Sequence, residues 1–129
     1  MKQELNNKLV EQYPKIFSER FGDVTTTAMC WGFECGDGWY EIINNLCNKI
    51  QDYLSSNPKV PQVIAKQVKE KFGGLRFYIE GGDDKIYSFI NEAEQLSYKT
   101  CEYCGSTNNV KLTKKGWIRA LCEEHYPKD

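Results

Sequence analysis

The chain has 129 residues, 40% of them hydrophobic and 13% aromatic, with a formal net charge of −1. That length suits one compact domain with at most a small appendage, and the aromatic content excludes general disorder. The near-neutral charge argues against tight, non-specific nucleic-acid binding, which needs a basic footprint, and no apolar run is long enough to span a bilayer.

Residues 3–20 read as a helix, with Leu5, Leu9 and Tyr13 on one face and Val10 beside them. Pro14 ends or kinks it; Ile16, Phe17 and Phe21 continue the apolar face, and Gly22 is a stop signal. Residues 24–30 are β-branched and fit either a strand or an extended connection. Next comes the stretch from Cys30 to Ile43, a loop of glycine and aromatic residues that runs into a helix. Gly32, Gly36 and Gly38 permit backbone angles or close approaches that other residues resist. Asp37 is a candidate N-cap, and a helix start favours an anion. This loop reads as the working surface. Trp39 fits the buried stripe of the helix, whereas Trp31, Phe33 and Tyr40 read either as core or as rings that contact a ligand.

The helix from Gly38 to about Leu54 carries Trp39, Ile42, Ile43, Leu46, Cys47, Ile50, Tyr53 and Leu54 at helical period. Ser55-Ser56-Asn57-Pro58 breaks it. A hairpin follows, from Val63 to Lys71 and from Leu75 to Ile79, turning at Phe72-Gly73-Gly74. Ile64 and Val68 are expected on one side of its first strand. Leu75, Phe77 and Ile79 are expected to face the core, and Arg76 and Tyr78 the opposite side. Lys66, Lys69, Lys71 and Arg76 surround the turn, with Glu70 the only acid there. They form either a solvated strand face or a phosphate cradle, in which Lys71 and the bidentate Arg76 would hold the anion. Gly81-Gly82-Asp83-Asp84 turns the chain into a helix running to about Tyr98, with Ile86, Phe89, Ile90, Ala93 and Leu96 as its stripe.

At Lys99 the composition changes, which divides the chain into an α+β domain over 1–98 and a module over 99–129. Cys101 and Cys104, followed after seventeen residues by Cys122 and His125, form a C-x2-C-x17-C-x2-H pattern in the range of small zinc modules. Three thiolates and an imidazole complete a tetrahedron for Zn²⁺, and four protein ligands leave no place for water, so the metal is expected to be structural. A hairpin through Val110-Lys111-Leu112 and Trp117-Ile118-Arg119 is expected between the pairs, and a short helix at the second pair. In these respects the last thirty or so residues resemble a treble-clef zinc module.

His125 is the only histidine. If it binds metal, none remains for a Cys–His or Ser–His nucleophile pair. No charged-then-apolar leader follows Met1, so the expected location is cytoplasmic, where the remaining cysteines are thiols rather than disulfides. A Cys30–Cys35 disulfide is disfavoured on that ground. Cys47 reads as a buried small residue. Cys35 reads either as packing or as a thiol activated by the adjacent helix start. Glu34, Asp37 and Glu41 read either as charges that favour the helix start or as acid–base or Mg²⁺-holding carboxylates.

The strings Met29–Trp39, Val68–Tyr78 and Gly116–Cys122 are similar to a family of small proteins of unassigned function encoded by bacteriophages and prophages. The resemblance spans most of the chain. It implies residence in the bacterial host's cytoplasm and a partner of the kinds such accessory proteins take: a host protein, a nucleic acid or a nucleotide signal of antiviral defence.

These readings combine into an α+β fold, with helices packed on a small antiparallel sheet and a C-terminal Cys3His zinc module. The leading functional expectation is a non-enzymatic protein that sequesters a nucleotide-like anion to counter host defence, with Trp31, Phe33 and Tyr40 stacking and Lys71 and Arg76 holding phosphate. The second is a zinc module that binds nucleic acid or protein through Lys111, Lys114, Lys115 and Arg119. A third is an enzyme using Cys35 or the Glu34, Asp37 and Glu41 carboxylates. A homo-oligomer is compatible with each.

Overall fold

The computed structural model describes residues 1–128. Its elements are α1 (Gln3–Gln12), β1 (Phe33–Glu34), α2 (Tyr40–Ser56), β2 (Ile64–Lys71), β3 (Gly74–Glu80), α3 (Asp84–Ser97), β4 (Lys111–Leu112) and β5 (Ala120–Leu121). This is the expected α+β class, with the Cys3His group at the C-terminal end.

Helix α1 stops earlier than the apolar pattern suggests. Pro14 has no amide to continue the ladder. The next residues form turns, and the Ile16 carbonyl accepts the Ala65 amide of β2 at 2.8 Å instead of a helical one. Ile16 and Phe17 are still fully buried, whereas Phe21 is exposed. Residues 24–30 are neither a strand nor an extended connection: the Thr26 and Thr27 amides both return to the Asp23 carbonyl, which closes a turn. The segment ends in a 3-10 turn over Ala28–Trp31, capped by the Thr27 hydroxyl, which accepts the Met29 amide at 3.1 Å.

The main sheet has the order β1-β2-β3. The β2–β3 pair is antiparallel as expected, but β1 adds a parallel strand, Phe33 opposite Val68 and Glu34 opposite Lys69, so the sheet is mixed. Two residues are too short to show a periodicity, which is why this strand escapes a pattern reading. Buried Asn6 of α1 pins it, accepting the Phe33 amide at 3.3 Å and donating to the Met1 and Lys2 carbonyls.

Strand β2 carries a bulge between Ala65 and Gln67, which puts Ile64 and Val68 on opposite sides rather than one. Ala65, Val68, Leu75 and Phe77 are buried, and Ile79 is partly so. Helix α3 starts where expected: Asp83 accepts the Ile86 amide and also the Tyr53 hydroxyl, at 2.6 Å, tying α3 to α2. Near its end the Ser97 hydroxyl accepts the Leu75 amide at 2.8 Å, which covers the open edge of β3. Trp39, just before α2, and Ile43, Cys47 and Ile50 of its inner face are fully buried against this frame. No helix of the described residues is long and apolar enough to cross a membrane.

Candidate metal centre and the loop it seats

Residues 101–104 form a tight turn in which the Gly105 amide returns to the Cys101 carbonyl at 2.8 Å, with Gly105 at φ 83°. That left-handed conformation favours glycine. The second pair lies just after β5. There the His125 and Tyr126 amides both return to the Cys122 carbonyl, so one turn stands where a terminal helix was expected. The intervening hairpin is also displaced: β4 pairs with Ala120–Leu121 rather than with Trp117–Arg119.

The four donor atoms of Cys101, Cys104, Cys122 and His125 lie within 4.8 Å of one another, so this group could hold a metal ion. Cys104 Sγ is 3.7 Å from Cys122 Sγ, Cys101 Sγ is 3.7 Å from His125 Nδ1, and Cys122 Sγ is 3.2 Å from the same nitrogen. A tetrahedral ion bound ~2.3 Å from sulfur requires sulfur–sulfur edges of roughly 3.8 Å. The Cys104–Cys122 edge matches that value, and the four donors as a group span no more than 4.8 Å. Burial opposes ionisation of Cys101, but the Cys122, Cys104 and Tyr103 amides favour its thiolate and bring it down to about 6. Such a thiolate is ready to ligate.

The metal knuckle sits directly on the glycine-rich loop. The Gly38 amide donates to the Glu102 carbonyl at 2.8 Å, the Gly36 amide to Glu102 Oε2 at 2.9 Å, and the Trp39 indole Nε1–H to the Thr100 carbonyl at 3.0 Å. A Cβ on Gly38 would lie 2.1 Å from the Cys101 carbonyl oxygen, and one on Gly36 would lie 2.3 Å from the Glu102 carbonyl oxygen. The glycines are thus required by close approach of backbone to backbone. Asp37 does not cap its own helix as expected: its carboxylate accepts the Lys2 amide at 2.7 Å. Glu102 is buried; burial pushes its carboxyl above the usual range, against the Gly36 amide and Arg119. Its Oε1 makes no hydrogen bond and faces Arg119 Nε at 3.6 Å.

The expected ligand residues are scattered. Phe33 is buried with its ring edge-on to Phe17 at a centroid distance of 4.9 Å, so it offers no stacking face; its place on β1 turns it inward. Trp31 is exposed. Tyr40 lines a cleft beside the knuckle with Asp37, Glu41 and Thr107, and Lys71 lines a different cleft at the hairpin tip. Arg76 is already engaged, with Nη1 3.1 Å from Glu94 Oε2 and 3.2 Å from the Tyr98 hydroxyl. Arg119 turns toward Glu102, while Lys111 and Lys114 line a cleft of about 810 Å³ with Leu112, Glu123 and Tyr126. Cys35 is buried, and burial, helped by the Glu102 carboxylate, pushes its thiol up to about 12. The dipole argument for an activated thiol therefore loses to desolvation. All three cysteines outside the metal group are free thiols.

A second junction lies at the hairpin tip, and pattern reading missed it. Glu70 is buried; one carboxylate oxygen accepts the Gly73 amide at 2.8 Å, and the other accepts the Trp117 indole N–H. The signals available in sequence were a lone acid among the hairpin lysines and a tryptophan at a turn after Lys114-Lys115-Gly116. Comparison with protein-family models, with curated proteins and with solved structures returns no match to this chain.

Proposed function

We propose that the protein is a non-enzymatic binding protein for a nucleotide-like anion, braced by a structural Zn²⁺ held by Cys101, Cys104, Cys122 and His125. The observation that carries this reading is how the reactive side chains are spent. The one histidine belongs to the metal group, and Cys35 and Cys47 are buried thiols with raised pKa values. Glu70 and Glu102 hold backbone and indole N–H groups. Among the groups the molecule presents to solvent are the rings of Trp31, Phe72 and Trp117 and several lysines, which bind planar anions by stacking and charge. Three thiolates and an imidazole in a tetrahedral set suit zinc, and a fourfold protein set is a closed site.

Native mass spectrometry before and after incubation with a mixed nucleotide extract tests both parts. One zinc mass per chain and a retained nucleotide-sized adduct are expected. Chains without metal would overturn the zinc assignment. Zinc-loaded chains that retain neither a nucleotide nor an oligonucleotide would overturn the ligand assignment.

A further inference from the structure

The tip of the β2–β3 hairpin carries a bulky residue in a conformation that it rarely adopts. Phe72 has φ 53°, in the left-handed region, and the residue is 66% exposed. An exposed phenylalanine there gains no core packing to offset its strain, and such strain persists where the surroundings impose it and function uses it. Gly73 is buried, and a Cβ on it would lie 2.8 Å from Leu112 Cδ2 of the metal module. Glu70 clamps the Gly73 amide from below.

The same Glu70 carboxylate holds Trp117, a residue 77% exposed and yet tethered at its indole Nε1. Phe72 and Trp117 border one cleft of about 410 Å³, with Lys69, Glu70, Lys71, Gly116 and Ile118 completing its wall. Lys71 Nζ stands 5.6 Å from the Phe72 ring centroid. Among the described residues neither Lys69 nor Lys71 has a carboxylate partner within ion-pair distance, and Glu70 is spent on its two N–H donors. Two exposed rings, one of them tethered, and two unpaired ammonium groups therefore share one open groove.

We propose that this groove binds single-stranded nucleic acid, with bases stacking on Phe72 and Trp117 and the adjoining phosphates meeting Lys69 and Lys71. The inference rests on the nucleotide-binding reading above and moves its site from the aromatic loop to the hairpin tip. Rings held apart on an open groove suit successive bases of a strand better than one enclosed mononucleotide. With only two lysines, stacking carries most of the affinity and charge a small part, which agrees with the chain's net charge of −1. Duplex would bind poorly, because its base faces are already stacked.

The test is fluorescence anisotropy of the zinc-loaded full chain with a labelled twelve-nucleotide polypyrimidine strand, the matching duplex and a mononucleotide as competitors. The expected result is binding of the strand in preference to duplex and mononucleotide. The salt dependence should be shallow: a log–log slope of about −1.4 corresponds to two phosphate contacts on a single strand. Phe72→Asn is the decisive variant, since asparagine tolerates the left-handed backbone. Its folding should be unchanged or more stable while strand affinity falls about fivefold to a hundredfold, the range that loss of one stacking ring implies. Lys69→Ala with Lys71→Ala should flatten the salt slope. Strand binding that Phe72→Asn leaves within twofold overturns the site. A chain that binds mononucleotide but no strand overturns the single-strand assignment and leaves the broader reading standing. A chain that binds neither removes both.

Discussion

Gly38→Ala isolates close approach from every other role of glycine. Gly38 does not use a left-handed φ, so alanine is allowed by the backbone and by itself would favour folding slightly. The added methyl, however, would lie 2.1 Å from the Cys101 carbonyl oxygen, 2.6 Å from the Gly105 nitrogen and 2.7 Å from the Glu102 carbonyl carbon. All three are backbone atoms of the metal knuckle and cannot swing aside. Relief requires the knuckle to retreat by about an ångström, which breaks Gly38 N–H to Glu102 O and Trp39 Nε1–H to Thr100 O. Leaving two such groups unpaired costs ~1–3 kcal/mol each, so the expected destabilisation is ~2–6 kcal/mol. Urea unfolding of the metal-loaded protein measures it, with competition against a chromophoric chelator reporting on the metal. The control is Gly116→Ala: nothing lies within 4 Å of that position, and its φ is 65°. Strain alone should cost ~1–2 kcal/mol there and leave metal affinity unchanged. If Gly38→Ala unfolds no more easily than Gly116→Ala and keeps its metal as tightly, the seating of the knuckle on the loop is wrong.

Metal removal should unfold the C-terminal end, because the module's own buried cluster beyond the ligands is little more than Leu121 with Val110 and Tyr126 beside it; hydrogen exchange should show lost protection over 99–128. Cys35, with its thiol pushed up to about 12, should react with iodoacetamide at neutral pH orders of magnitude more slowly than a free thiol, and mass spectrometry of timed aliquots would reveal any fast labelling. The same shift sets a pH dependence: its folded pKa lies above the unfolded value, so the stability it contributes is complete below roughly 8.5 and is lost as pH rises toward 12, which a series of urea midpoints would register. Asp83 has the opposite sign. The Tyr53 hydroxyl holds its carboxyl below the usual range, so its contribution is complete above the unfolded pKa and disappears as acid protonates the folded form; Tyr53→Phe should weaken that acid dependence.

Much of the scaffold follows from local pattern. The α2 stripe, the antiparallel hairpin, the Asp83 start of α3 and the four metal donors lie where period and spacing put them. What local pattern does not carry is pairing across the chain. Strand β1 is two residues long and exists because Asn6 and Val68 position it. The bulge in β2 reverses the side taken by Ile64, and no residue type announces it. Phe33 and Trp31 look alike in sequence, yet one ring packs on Phe17 and the other stands in solvent. Arg76 reads as a free cradle until Glu94 and Tyr98, about twenty residues later, are brought beside it. The aromatic loop was expected to be the working surface because its glycines signal a close approach. They do, but what approaches is the chain's own backbone.

That exchange of roles links the two ends of the molecule. The loop at Gly36–Trp39 receives the knuckle through Glu102 and Thr100, and the hairpin tip receives the β4–β5 module through Glu70, Gly73 and Leu112. Each junction uses a buried glutamate whose partners are N–H donors from the other half or from its own turn. A buried carboxylate is costly unless such donors meet it: Glu70, with both oxygens met, favours the docked arrangement, whereas Glu102, with Oε1 unpaired and its carboxyl pushed up by burial, is kept buried by the backbone and indole contacts around it. The consequence reaches the proposed groove. Phe72 belongs to the hairpin and Trp117 to the module, and they border one cleft only while the module is docked. A metal held by the Cys3His group would fix Cys101, in the middle of the Thr100–Glu102 seat, and Cys122, directly after β5. Metal binding, knuckle seating and groove geometry are therefore expected to form one chain of dependence, in which loss of metal should abolish the groove without touching any of its residues.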